Sequence, residues 1–212
     1  MRTLVRLSAA LLAGWLAAPS ARAMEVSKDV QLRQAMDKLW EDHVTWTRTF
    51  IISALANLPD KQATLDRLLQ NQVDIGNAIK PYYGDDAGNK LTALLHDHIV
   101  QAGDVVTAAA ANDKAKLEEA NKVWRANADQ IATFLSAANP HWAVADMKAM
   151  MNKHLDLTTE EAVARIKQDW KADVAAYDKV HNEILQMSEM LSTGIIQQFP
   201  DKFGGRRSAS AH

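Results

Sequence analysis

Four histidines fall where a helical reading of the chain places its apolar stripes: His43, His98, His154 and His181. His43 lies between Trp40 and Trp46, His98 follows Leu94 and Leu95, His154 follows Met150 and Met151, and His181 sits among Tyr177, Ile184 and Leu185. These are the spacings of three and four that put side chains on one helix face. A buried imidazole needs a partner for each ring nitrogen, and a dry environment disfavours its charged form, so each requires a hydrogen bond or a metal. One such histidine reads as an ordinary core residue. Four on separate helices of a bundle are the raw material of a metal centre, because bundle cores converge on a common axis.

Carboxylates stand at suitable places to complete such a centre. Asp178 precedes His181 by one turn on the same face, an Asp-x-x-His that resembles, with a shorter acid, the Glu-x-x-His of di-metal bundles. Asp74 and Asp129 lie at the edges of their stripes and could turn inward. The expected ligand set is therefore His43, Asp74, His98, Asp129, His154, Asp178 and His181, holding one or two transition-metal ions. Nitrogen and oxygen donors of this kind suit iron, manganese, zinc or copper(II). Glu41, Asp42 and Asp97 adjoin histidines in sequence and so diverge from them around the helix, which makes them outer partners or surface charges. Met147, Met150, Met151, Met187 and Met190 could offer soft coordination to copper(I), but their helical spacing reads as core filling. The competing reading is a non-enzymatic helical binding or scaffold protein whose histidines are satisfied core residues. No phosphate loop, dinucleotide fingerprint, Gly-x-Ser-x-Gly elbow or His-Glu-x-x-His pair is present, so no reaction is named by motif.

The elements that would position these groups are all helices. Glycine and proline are scarce and separate long stretches of 3.6-residue periodicity, which predicts an all-α antiparallel bundle of about six helices. The spacing predicts helices over about 29–58, 60–82, 85–111, 112–138, 144–156 and 158–198. Gly84 is the expected C-cap of the second, and Asn112 and Asp113 cap the fourth. Thr158 with Glu161 reads as a capping box opening the sixth, whose length predicts a bend or break near Gly194. LTALLHDHI (91–99) and MKAMMNKHL (147–155) share apolar class at every core position, as well as Ala and His. Asp74 precedes His98 by 24 residues and Asp129 precedes His154 by 25. A weak internal duplication is expected, with His98 and His154 equivalent.

Residues 1–23 have the form of a secretory signal: Arg2 and Arg6, an apolar run from Leu7 to Ala18, and Ala21-Arg22-Ala23 as a cleavage pattern. Export to the periplasm or medium is expected, with membrane attachment only if the leader stays uncleaved. The bundle domain would then occupy 24–203 and a disordered tail 204–212. Loss of Arg2, Arg6 and Arg22 leaves 21 Lys plus Arg against 26 Asp plus Glu, an acidic balance that argues against nucleic acid as a partner. With no cysteine, disulfides, thiolate metal sites and covalent haem attachment are excluded.

The phrases LWEDHVTWTR (39–48), NQVDIGNAIKPYYG (71–84), NADQIATFLSAANP (127–140), HLDLTTEEAVARI (154–166) and YDKVH (177–181) resemble those of a little-studied family of bacterial helical proteins. The resemblance covers about Leu39 to Phe203 and implies a helical fold with no established activity. Some relatives carry glycosyltransferase or acetylglutamate kinase labels. Those activities belong to α/β folds, and no nucleotide-sugar or ATP phosphate site is present here.

Overall fold

A computed structural model describes residues 26–204; the expected leader and all but the first residue of the expected tail lie outside the described residues. Six α-helices follow one another: α1 (Lys28–Leu55), α2 (Lys61–Tyr83), α3 (Asp85–Ala110), α4 (Lys114–Ala138), α5 (Val144–Ile166) and α6 (Trp170–Gln198). A 3₁₀ turn, Pro200–Phe203, ends the described chain. No strand occurs among the described residues, and no described helix is long and apolar enough to cross a membrane.

Short connections make successive helices antiparallel. Each packs on its neighbour in sequence, and α6 returns to α1, so the six close into a ring. The odd-numbered helices α1, α3 and α5 also touch one another at its centre. The main core runs through all six helices, from Met36 and Trp40 on α1 to Leu191 and Ile195 on α6.

Three hairpins, α1–α2, α3–α4 and α5–α6, repeat one local design. The first helix of each ends at a non-glycine residue in the left-handed region: Asn57 (φ 51°), Asn112 (φ 52°) and Gln168 (φ 58°). In each case the next amide reaches back five residues to a helix carbonyl, Leu58 to Ser53 (2.9 Å), Asp113 to Ala108 (3.1 Å) and Asp169 to Ala164 (3.0 Å). This is the Schellman arrangement, which satisfies carbonyls that a helix end leaves open. Asp113 and Asp169 then cap the returning helices, accepting from the amides of Lys116 and Ala172.

The anticipated boundary at Thr158 is displaced. Thr158 and Glu161 lie inside α5, both buried, and the chain breaks only at Gln168. A capping box works only where the chain enters the helix. Here residues 154–166 contain no glycine or proline, and the side chain of Glu161 is taken by Arg48 (2.6 Å) instead. Nor does α6 break at Gly194, which the helix carries through intact. A Cβ there would stand 2.0 Å from Trp142 Nε1, so the glycine admits an indole ring.

The seam between the first and last helices is polar as well as apolar. Ser188 donates to Asp37 (2.7 Å), Arg33 to Thr193 (3.1 Å) and to Glu189, and Arg48 to both oxygens of Asp173 (2.9 and 3.1 Å). Arg165 also donates to Asp173 (3.1 Å). Burial pushes the Glu161 carboxyl up to about 7, against the opposing pull of Arg48.

Candidate functional site

At equivalent points of α1, α3 and α5 stand His43, His98 and His154, spaced 55 and 56 residues apart and only 3–4% exposed. The ring centroids of His43 and His98 lie 5.7 and 6.3 Å from that of His154. All three line one apolar cavity of about 30 Å³, room for one or two water-sized guests. The rest of its wall repeats as the histidines do. Trp40, Leu95 and Met151 stand three residues before each histidine, and Ile75, Ile131 and Met187 come from the returning helices. A second apolar cavity, about 90 Å³, lies beyond the histidine layer toward the C-terminal ends of α1, α3 and α5.

The Nδ1 atom of each ring meets a buried polar side chain 29 residues further on: Gln72, Asn127 and Glu183. These contacts fix where the ring protons sit. Asn127 donates its amide to the carbonyl of Leu94 (3.1 Å), which leaves Oδ1 facing His98 Nδ1 at 3.0 Å. An amide oxygen only accepts, so Nδ1 carries the proton and Nε2 the lone pair. His154 Nδ1 likewise donates to the Glu183 carboxylate (3.0 Å). The first hairpin is looser. The Gln72 amide nitrogen is 3.4 Å from His43 Nδ1 and also donates to Leu68 O (2.8 Å) and Asn71 Oδ1 (3.1 Å), while Gln72 Oε1 is buried with no partner.

Burial, reinforced by the other two rings, holds His43 well below the usual imidazole range. Burial and the neighbouring His154 push His98 down to about 3, against the pull of Asn127. Both rings are therefore neutral at ordinary pH.

The remaining expected ligands are elsewhere. His181 is half-buried at the α1–α6 seam, with Nε2 2.9 Å from Glu41. Asp74 accepts from Gln70 (3.1 Å) one turn away, Asp129 pairs with Lys148 (3.1 Å), and Asp178 is exposed. Among the described residues no group of three or more His, Asp or Glu side chains is arranged to hold an ion as it stands. Gln72, Asn127 and Glu183 are the residues that the sequence reading passed over. Their common separation from the three histidines was the available signal, and it becomes visible only once His43 is aligned with the other two.

The indole nitrogens of Trp40 and Trp142, both from side chains that line the cavity, are buried with no hydrogen-bond partner. The chain matches no family model, no curated protein and no solved structure, so what it does must be argued from this geometry.

Proposed function

We propose that this chain binds one transition-metal ion between α1, α3 and α5, with the Nε2 atoms of His43, His98 and His154 as its ligands. The observation that carries the reading is the pair of outer hydrogen bonds, His98 to Asn127 and His154 to Glu183, which commit Nδ1 as donor and leave Nε2 as the basic atom. Metal-ligating histidines use their second nitrogen in this way, to a carbonyl or a carboxylate, and so fix tautomer and ring orientation. The low basicity of His43 and His98 helps, since little proton has to be displaced. The Gln72 amide nitrogen now faces His43 Nδ1, so His43 joins once that side chain turns over, giving up its bonds to Leu68 and Asn71, and presents Oε1, at present without a partner, as acceptor for an Nδ1 proton.

Binding requires the rings to close in. With metal–nitrogen bonds of about 2 Å, three imidazoles in a tetrahedral arrangement have centroids about 5 Å apart. Two of the three ring pairs, His43 with His154 at 5.7 Å and His98 with His154 at 6.3 Å, stand about 1 Å from that spacing. Asp74, Asp129, Asp178 and His181 take no part in this version of the site. Residues 1–23, taken as a secretory leader, would put the bound ion in the periplasm or outside the cell.

Metal content of the purified protein, beside His98→Ala and His154→Ala, tests the reading. Near-stoichiometric metal in the parent and its loss in both variants are expected. A rise in melting temperature when metal is added to the stripped parent should accompany them, since a ligand specific to the folded state stabilises it. No retained metal and no thermal response to Zn²⁺, Mn²⁺, Fe²⁺ or copper in either oxidation state would overturn it. A second reading, a small hydrogen-bonding guest, is favoured by the free indole N–H groups of Trp40 and Trp142 and predicts that metal-free result.

A further inference from the structure

The donors facing the cavity are unusual for a divalent ion, and we infer that the site is built for copper(I), held by the three imidazoles with thioether sulfur from Met36, Met151 and Met187. This rests on the metal reading above and adds the identity of the ion. Every potential donor among the lining side chains is a nitrogen or a sulfur, and no carboxylate reaches the wall. Hard and borderline divalent ions such as Mn²⁺, Fe²⁺ and Zn²⁺ draw on carboxylate or water oxygen, or on thiolate, to complete their shells. Thioethers select copper(I), a soft ion, and imidazole suits it equally.

Charge balance gives the same answer independently. Burying a charge is costly unless it is paired, and the cavity wall offers no anion. The one acidic side chain tied to the cluster is Glu183, buried behind His154 and joined to it by a hydrogen bond. One negative charge neutralises a monovalent ion and leaves a divalent one with an uncompensated charge in an apolar interior. The cavity is also too small for a hydrated ion to keep its water shell. An anhydrous, soft, monovalent cation fits both the space and the charge. Met36 precedes His43 by seven residues and Met151 precedes His154 by three, so each lies on the same helix face as its histidine. Met187 follows Glu183 by one turn.

The test is a competition titration of the metal-free, full-length protein under anaerobic conditions. Copper(I) is supplied against the chromophoric chelator bicinchoninate, and Zn²⁺ separately against a zinc indicator. One equivalent of copper(I) withheld from the chelator is expected, with binding at least about 100-fold tighter than that of Zn²⁺. Replacing Met36, Met151 and Met187 together by leucine preserves volume and apolarity. That variant should keep its helical circular dichroism and Zn²⁺ response while losing about tenfold or more in copper(I) affinity. Zn²⁺ or Mn²⁺ bound stoichiometrically with copper(I) left to the chelator would sink the copper inference and leave the metal site standing. Copper(I) affinity unchanged in the folded triple variant would remove the thioethers and with them this proposal. Failure of every ion to bind would remove both proposals.

Discussion

Lowering the pH should unfold this protein through two histidines that refuse protons, and the size of the effect follows from their burial. His98 is pushed down to about 3 in the folded chain, against an ordinary value of 6.5. Between those limits the unfolded chain takes up a proton that the native chain does not, so stability falls as the pH falls. The loss is about 1.36 kcal/mol per pH unit per group, or about 2 kcal/mol for His98 between pH 6.5 and 5. His43, also held well below its ordinary range by burial, adds to the loss in the same direction. The His98 contribution alone, about 2 kcal/mol, is a sizeable part of the roughly 5–15 kcal/mol that a domain typically has.

Glu161 acts in the opposite direction. Its carboxyl is pushed up to about 7 from an ordinary 4.5, so the native chain holds a proton there that the unfolded chain has lost, and stability falls as the pH rises through that window. It would mask much of the histidine contribution, and Glu161→Gln removes it. Urea denaturation of metal-free Glu161→Gln at pH 7 and pH 5 should therefore show a drop of at least about 2 kcal/mol, and the parent chain a smaller one. If the variant loses less than about 1 kcal/mol, the histidines are taking up protons in the folded state. The dry, neutral pair of rings argued above, His43 and His98, would then not exist.

Two further outcomes rest on buried partners. Asn127→Ala strips an acceptor from His98 and a donor from the Leu94 carbonyl, leaving two buried polar groups unmet, and should cost about 2–5 kcal/mol in urea titration. It should also lower metal affinity about 10–100-fold, the usual effect of removing an outer partner of a ligating histidine. Arg48→Ala abandons Glu161 and leaves Asp173 to Arg165 alone, and should destabilise by about 3–5 kcal/mol by the same measurement. Because Arg48 lies at the α1–α6 seam and away from the histidine layer, its loss should leave the metal stoichiometry of the folded fraction unchanged.

Helix existence was legible because its causes are local. Scarce glycine and proline and a 3.6-residue apolar period are properties of short windows, and five of the six helices begin within two residues of where the spacing puts them. The exception, the start of α6, turned on a side chain 113 residues away: Arg48 claims Glu161, and the Thr158–Glu161 pattern has no helix start to cap. The duplication was half seen. His98 and His154 sit in similar apolar words, whereas the first copy, LWEDHVTWTR, carries Trp40 where the others carry Leu95 and Met151, and the repeat period of 55–56 was lost.

What the sequence by itself determined is the inventory and the local geometry. It set the helical elements, the absence of thiols, and the placing of His43, His98 and His154 on inward stripes, because each depends on residues within a turn or two. Which of the seven expected ligands meet was decided only by the closing of the ring. His181 and the three aspartates satisfy the same periodicity, but the packing of α6 on α1 turns His181 toward Glu41, and the carboxylates stay near water, where their charge is cheapest. The partners that set the tautomers, Asn127 and Glu183, belong to the returning helix of each hairpin, and only a folded hairpin brings a side chain 29 residues distant to within 3.0 Å of an imidazole.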